Sequence, residues 1–167
     1  FAPRAKIIHF DIDYSEFSKV LETEIVVPGD LAESLPAFLE AAQSARHDSW
    51  WKAINSWRED QPIKVPSRRG PLLARHVVEA LNRHTQGEAI VSTDVGQHQM
   101  WVSQMYQFKR PYQWLSSGGL GTMGFGFPAA IGASFAHPGK EVWAVVGDGG
   151  FQMTLQELQT AKEAGID

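Results

Sequence analysis

The sequence has no cysteine among its 167 residues, which excludes a disulfide framework and thiolate chemistry. No apolar run approaches the roughly 18 residues that a membrane-spanning helix needs. No stretch is rich in lysine and arginine, and the formal net charge is -4, so the composition argues against a nucleic-acid partner. The start, Phe1 to Arg4, has no initiator methionine and resembles neither a signal peptide nor a transit peptide. We therefore interpret the chain as a piece of a longer protein.

The first part of the chain has the composition of an ordinary folded protein and a pattern that alternates strand and helix. We predict strands over residues 6–13 and 24–27, a helix from Asp30 to about Ala45, and a helix over residues 50–57. Asp30 occupies the N-cap position, and Glu33 follows three residues later as in a capping box. Residues 61–71 then contain three prolines, a glycine and a basic pair, which indicates a linker or domain boundary.

The second part alternates more regularly. Leu73, Val77 and Leu81 are predicted to share one face of a helix that follows the linker. Strands are predicted over 89–92, 113–115 and 141–146, and helices over 96–106, 123–135 and 154–164. This order predicts an α/β fold with parallel sheets flanked by helices. Ligands of such sheets bind beyond the carboxyl ends of the strands, where the unusual residues of this sequence fall.

The strongest motif, Gly147-Asp148-Gly149-Gly150, directly follows an apolar strand. Glycines let the backbone approach a ligand closely, and the N–H groups of a following helix can bind an anion. Asp148 beside a diphosphate is a natural Mg²⁺ ligand, because Mg²⁺ is usually held by one or two carboxylates and phosphate oxygens. The same residue can equally be a simple helix cap.

A second motif is the glycine-rich stretch from Ser117 to Ala130, which has five glycines in the nine residues 118–126. So many glycines are unfavourable in a helix and predict a loop pressed against something flat or bulky. Met123 within it can be a polarizable contact for an aromatic ligand or an ordinary core residue. The spacing does not fit a dinucleotide-binding loop, because no strong strand precedes it and no suitably placed acid follows.

A third motif runs from Asp94 to Trp101 and also follows a strand. Gln97 and His98 can donate hydrogen bonds to a phosphate from the start of a helix. A lone histidine can also be a satisfied surface or core residue. Three such loops after three strands favour anion or cofactor binding over these separate explanations.

Together these residues resemble acetohydroxyacid synthase, also called acetolactate synthase. The resemblance is carried by the run from Gly96 to Trp101, the stretch from Gly118 to Ala130, and Gly147-Asp148-Gly149 followed by Phe151 to Leu158. The order and spacing of the motifs also agree, over nearly the whole chain. The glycine–aspartate–glycine turn alone would indicate only the wider thiamine diphosphate superfamily.

The resemblance implies a domain order and a set of ligand contacts. Residues 1–60 would be the end of a central domain that holds FAD in a structural role, residues 61–70 a linker, and residues 71–167 the first part of a thiamine diphosphate-binding domain. Asp148 would bind Mg²⁺, and Met123 would support the bent cofactor. The contacts to thiamine diphosphate would come from Val95, Gly96, Gln97, His98, Gly121, Met123, Asp148, Gly149 and Gly150, and those to FAD from Asp11, Ile12, Asp30 and Leu31. Asp30 can instead be only a helix cap.

The implied reaction is the decarboxylation of pyruvate on thiamine diphosphate and transfer of the two-carbon unit to a second 2-oxo acid, pyruvate or 2-oxobutyrate. This is the first common step of branched-chain amino acid biosynthesis. The family pattern implies a homodimer or homotetramer with the active site at the subunit interface, a small regulatory subunit in some members, and no membrane or nucleic acid partner. The location would be cytoplasmic in a bacterium, with an organelle left open.

Two family features are absent from these 167 residues. The asparagine pair that completes the metal site lies beyond the last residue, and the catalytic glutamate lies in an N-terminal domain. We therefore expect the isolated chain to be inactive. The alternatives are another thiamine diphosphate enzyme, of the pyruvate oxidase or glyoxylate carboligase type, and a non-catalytic cofactor-binding relative. The run from Gln97 to Trp101 argues against the first, and the intact Asp148 argues against the second.

Overall fold

A computed structural model describes residues 3–63 and 70–166 of the chain. The chain divides into two compact units, residues 1–59 and 60–167. Most of the predicted linker, residues 64–69, lies outside the described residues. None of the helices within the described ranges is both long enough and apolar enough to cross a bilayer.

The first unit contains a small parallel sheet. Strand β1 (Ile8–Asp11) pairs in parallel with β2 (Ile25–Pro28), and a 3-10 turn (Tyr14–Glu16) follows β1. β1 is shorter than the predicted 6–13 because the side chain of Asp11 accepts a hydrogen bond from the Asp13 N–H at 2.8 Å, and Asp13 in turn accepts one from Ser15. Such local bonds favour a turn over continued strand pairing.

Two helices complete this unit. Helix α1 (Leu31–Ala41) begins after Asp30, whose carboxylate accepts a hydrogen bond from the Ala32 N–H at 2.8 Å. The predicted N-cap is therefore confirmed, but the helix ends before the expected Ala45 because Ala42 adopts an extended conformation. Helix α2 (Asp48–Asp60) carries Trp50 and Trp57, whose rings meet edge to face at 5.4 Å.

The second unit is a three-stranded parallel sheet covered by helices. The elements in chain order are α3 (Ala74–Thr85), β3 (Ile90–Thr93), α4 (Gln97–Met105), β4 (Trp114–Ser116), α5 (Gly126–Ala136), β5 (Val142–Val145), α6 (Asp148–Met153) and α7 (Glu157–Glu163). The strand order is β4-β3-β5, and both pairings are parallel. The predicted α/β fold with parallel sheets is confirmed.

β3 is the centre of this sheet. All four of its residues are buried, because it is paired on both edges and covered by helices. Ile90, Val91 and Thr93 are β-branched residues, which suit such a strand with no solvent-facing side. The core next to it consists of Val78, Leu81, Val91, Val102 and Tyr106.

Three details of the sequence prediction were wrong in this unit. On α3 the buried face carries Val78 and Leu81, whereas Val77 is exposed. Helix α5 begins at Gly126 and not at Met123, because Gly121 and Gly124 have positive φ angles that a right-handed helix excludes. The expected helix over 154–164 begins later, since α7 spans Glu157–Glu163, and a separate short helix, α6, precedes it directly after Gly147.

Candidate functional site

The three motifs of the second unit meet at one edge of the sheet. Residues 94–96 follow β3, residues 117–125 follow β4, and residues 146–147 follow β5 and lead into α6. Because the three strands are parallel neighbours, their carboxyl ends lie side by side and bring the three segments together. This is the position at which open parallel sheets bind ligands.

Close approaches connect each segment with the others. A Cβ placed on Gly149 would lie 3.3 Å from the Met123 Cε atom, and one placed on Gly121 would lie 4.0 Å from a Val95 methyl group. A Cβ on Gly147 would lie 3.3 Å from the ring carbon Cε1 of His98. The residues proposed from the sequence for the diphosphate and the ring of one ligand therefore form a single cluster.

His98 is the polar side chain with an unmet hydrogen-bonding group in this cluster. Its Nε2 atom is shielded from solvent and has no hydrogen-bond partner among the described residues. The backbone before it is unusual, since Gly96 precedes α4 with φ 146° and a Cβ there would lie 3.1 Å from the His98 ring. Buried polar atoms are normally paired, so this atom indicates a missing polar partner.

The glycine-rich loop has two distinct parts. Gly118 and Gly119 are exposed, and a Cβ on either would meet nothing within 4 Å. Gly124 and Gly126 are buried, and a Cβ on Gly126 would lie 2.6 Å from the backbone nitrogen of Asp94. The sequence predicted a loop pressed against something flat or bulky. At its carboxyl end, the loop is pressed against other segments of the protein itself.

Met123 lies between these two parts, in the loop before α5. Its side chain is 50% exposed, and its terminal methyl group reaches toward Gly149. A methionine that is half exposed at a sheet edge is not an ordinary core residue, which was the alternative left open from the sequence.

Asp148 is the first residue of α6, and its side chain is exposed beside the cluster. Gly147 before it is extended, and no side chain caps this short helix. The described part of the chain contains no group of three or more histidine, aspartate or glutamate side chains arranged to hold a metal ion. A metal at Asp148 would therefore need ligand oxygens from elsewhere, as Mg²⁺ obtains from a bound phosphate.

Asp94 is a residue whose role the sequence reasoning missed. It is 1% exposed, and its carboxylate accepts a hydrogen bond from the Val95 N–H at 2.8 Å. The Gly124 N–H donates to both carboxylate oxygens, at 2.9 and 3.1 Å. A Cβ on Gly150 would lie 2.6 Å from its Cγ atom. The available signal was an acid directly after a predicted buried strand, where a charge is costly unless it is paired.

The first unit has a separate pocket at the carboxyl ends of β1 and β2. It has a volume of about 350 Å³ and is lined by Phe10, Asp11, Ile12, Gly29, Asp30 and Leu31. The four residues predicted from the sequence to lie along FAD are all in this lining. Asp11 also lies 3.6 Å from the His9 ring nitrogen, and Asp30 caps α1. The N-cap role of Asp30 therefore coexists with its place in the pocket.

Comparison with known proteins agrees with this geometry. The family described as thiamine pyrophosphate enzyme, C-terminal TPP binding domain, matches residues 94–167, which begin at Asp94 and contain all three motifs. The fold and the match together identify residues 94–167 as a thiamine pyrophosphate-binding domain of that enzyme family.

Curated relatives narrow the resemblance. The chain is 44% identical to the acetolactate synthase large subunit of Haemophilus influenzae over 99% of its own length. It is 40% identical to the isozyme 1 large subunit of Escherichia coli over 100%, and 44% identical to the large subunit of Corynebacterium glutamicum over 99%. The resemblance to acetohydroxyacid synthase is therefore confirmed. The chain spans 28–30% of the length of these relatives.

Proposed function

We propose that this chain forms part of an acetolactate synthase large subunit and carries half of its site for Mg²⁺ and thiamine diphosphate. The observation that carries the proposal is the meeting of the loops after β3, β4 and β5 at one sheet edge. The domains would be those implied by the sequence: residues 1–60 from a central FAD-associated domain, residues 61–70 a linker, and residues 71–167 the first part of the cofactor domain.

The residues at this edge fit a diphosphate joined to an aromatic ring. The shielded Nε2 of His98 needs a polar partner, and a phosphate oxygen would accept its hydrogen. Val95, Gly96 and Gln97 lie beside it at the start of α4. On the neighbouring loop, Met123 presents a methyl group and Gly121 presents backbone without a side chain. Both surfaces suit contact with the flat face of a ring.

Asp148 would be the metal ligand from this chain, with Gly149 and Gly150 bringing the backbone close to the diphosphate. Its side chain is exposed at the edge of the cluster, which leaves room for a hydrated Mg²⁺ ion. A single carboxylate suffices for this role when phosphate oxygens and waters complete the octahedron.

The pocket of the first unit supports a separate half-site for FAD. Asp11 ends β1 and is half-buried, so its carboxylate can accept a hydrogen bond from a ribose hydroxyl. Ile12 and Leu31 are exposed apolar side chains on either side of the pocket and would pack against the flavin nucleotide. Asp30 would remain the cap of α1 while it borders the same ligand.

The reaction of the full-length protein would be decarboxylation of pyruvate and transfer of the two-carbon unit to pyruvate or 2-oxobutyrate. Bound thiamine diphosphate would supply the electron sink for this chemistry. The described residues would hold and orient the cofactor. The proton-transferring group would come from another part of the protein, across a subunit interface of a homodimer or homotetramer. A regulatory small subunit and a cytoplasmic location are part of the same proposal.

Cofactor binding tests the proposed site. We expect the full-length protein to bind thiamine diphosphate only with Mg²⁺, and Asp148→Ala to weaken this binding by at least about ten-fold, since a charged metal ligand contributes more than ~1.4 kcal/mol. Glu141→Ala is a matched control, because Glu141 is an exposed acid just before the start of β5, away from the cluster. Wild-type affinity in the Asp148 variant would show that the metal assignment is wrong.

Product analysis tests the proposed reaction. The full-length protein should convert pyruvate to acetolactate, and the isolated 167 residues should form none because they lack the catalytic glutamate. Acetate or acetyl phosphate as the product would instead indicate an enzyme of the pyruvate oxidase type. Cofactor binding without any turnover of 2-oxo acids would indicate the non-catalytic relative.

A further inference from the structure

One buried carboxylate contacts all three loops of the candidate site. Asp94 ends the buried run of β3 and is 1% exposed, with its carboxylate in the region where the loops after β4 and β5 approach β3. Among the described residues, the hydrogen bonds to this carboxylate come from the backbone N–H groups of Val95 and Gly124, which lie outside α6 and α7. It therefore acts on the main chain of the loops and not on another side chain.

The first contact fixes the glycine-rich loop. The Gly124 N–H donates to both Asp94 oxygens, at 2.9 and 3.1 Å, although the two residues are 30 positions apart in the chain. Gly124 has φ +84°, and a Cβ there would lie 3.1 Å from a Thr154 methyl group. The loop is therefore held from the Asp94 side by hydrogen bonds and from the α6 side by packing, directly next to Met123.

The second contact fixes the turn that contains Asp148. Gly150 is buried, and a Cβ on it would overlap the Asp94 carboxylate, lying 2.6 Å from Cγ and 3.0 Å from Oδ1. Real Cβ contacts are not this short, so the backbone of α6 rests directly on Asp94. The position of Asp148 and Gly149, two and one residues earlier, is thereby tied to β3.

The third contact fixes the segment after β3 itself. The Val95 N–H donates to Asp94 Oδ1 at 2.8 Å, and a Val95 methyl group faces Gly121. A carboxylate that accepts several N–H bonds is strongly held, and removing it leaves buried donors unpaired. Asp94 thus joins Val95 and Gly124, in the loops after β3 and β4, to Gly150 in α6, which directly follows the loop after β5.

We propose that Asp94 is a positioning residue, which sets the spacing of the three loops so that they can bind the cofactor and its metal. It contacts neither ligand itself. The inference depends on the proposed function, because the loops are taken to be the cofactor loops. The contacts among the loops, however, stand without any ligand.

The test uses Asp94→Asn in the full-length protein, because this change keeps the shape and removes the charge. One former oxygen becomes an NH₂ group that faces a donor or Gly150, so we expect the dissociation constant for thiamine diphosphate with Mg²⁺ to rise about ten-fold or more. The readout is cofactor affinity by calorimetry, together with the midpoint of chemical unfolding.

Gln113→Ala is the matched control. Gln113 is also a buried polar residue, which accepts hydrogen bonds from the N–H groups of Lys109 and Arg110 and donates to the carbonyls of Gly87 and Ala89, but it lies before the amino end of β4. This variant should lower the unfolding midpoint at least as much as Asp94→Asn does. Its affinity for the cofactor should stay within two-fold of the wild-type value, which corresponds to about 0.4 kcal/mol in binding free energy. If both variants lose affinity in proportion to their lost stability, Asp94 has only a structural role and the proposal is overturned.

Hydrogen exchange on the unmodified protein keeps the proposal testable if Asp94→Asn does not fold. Without cofactor, the Gly124 amide should exchange far more slowly than the amides of Gly118 and Gly119 on the same loop. Equal exchange would overturn the positioning role. If the wild type fails to bind thiamine diphosphate while Gly124 is protected, the proposed function fails and the contact of Asp94 with the loop remains.

Discussion

Replacing Gly150 by alanine is a sharp test of the contacts at the sheet edge. The new Cβ would lie 2.6 Å from the Asp94 Cγ atom and 3.0 Å from its Oδ1 atom, and the carboxylate is a short side chain that cannot swing away. Either α6 must move outward or Asp94 must give up its bond from Gly124. Both responses displace the turn that carries Asp148.

The expected cost follows from three terms. Overpacking costs about 1–3 kcal/mol, disturbing a charge-assisted hydrogen bond costs about 1.5–3 kcal/mol, and the better helix propensity of alanine returns about 1 kcal/mol. We therefore expect Gly150→Ala to lower the free energy of unfolding by about 1.5–5 kcal/mol. Thiamine diphosphate should also bind more weakly, because the turn has moved.

Gly132→Ala provides the control within the same unit. Gly132 lies on an exposed face of α5, and a Cβ there would meet nothing within 4 Å, so this change should stabilise by about 0.5–1 kcal/mol. Both variants are compared by the midpoint of denaturant unfolding of the full-length protein. A neutral or stabilising Gly150→Ala would refute the reasoning.

A double-mutant cycle locates the source of the cost. In an Asp94→Ala background, the carboxylate atoms that the new methyl group would meet are absent. The cost of Gly150→Ala in unfolding free energy should therefore be smaller there than in the wild type, by at least about 1 kcal/mol. An unchanged cost would mean that α6 resists the added methyl group for a reason other than Asp94.

Three further predictions concern single contacts. Met123→Ala should weaken thiamine diphosphate binding about ten-fold while changing unfolding by less than about 1 kcal/mol, because the side chain is 50% exposed; loss of stability without loss of affinity would contradict this. Tyr106→Phe should cost about 1 kcal/mol in unfolding, since the hydroxyl contact to Thr85 at 2.6 Å is buried. The hydrogen bond and charge of Lys109 lower the pKa of Glu88. The small stabilisation from this contact is present above the ordinary pKa of glutamate and is lost as the pH falls through the lowered pKa of Glu88. Lys109→Gln should therefore raise the pKa of Glu88 in an NMR titration.

The loops of the candidate site could be found from the sequence because each one is a local pattern. A buried strand followed by glycines and one acid indicates a ligand loop wherever it occurs, and parallel strands place such loops at one edge. Asp148 was selected in this way, whereas His98 was selected from its place at the start of a helix and Met123 from its place in the glycine-rich stretch. Asp11 and Asp30, which line the pocket of the first unit, were instead proposed to contact FAD from the resemblance to a family.

The mistakes arose where several long-range contacts compete with a local pattern. Leu73, Val77 and Leu81 have helical spacing, but the packing of α3 against α4 and the core around Val91 buries Val78 in place of Val77. Met123 was assigned to a helix because the sequence pattern does not show that Gly121 and Gly124 have positive φ angles.

The sequence by itself determined the alternation of strands and helices, the three glycine-containing turns and the family, because these depend on short-range spacing and residue type. Only the tertiary structure decided which glycines are open to solvent and which pack against the protein. At Gly126 and Gly150 the backbone and carboxylate of Asp94 occupy the space where a side chain would be, and at Gly124 that space is bordered by Thr154 and Met153. That space is created by segments distant in the chain, and no local pattern contains it.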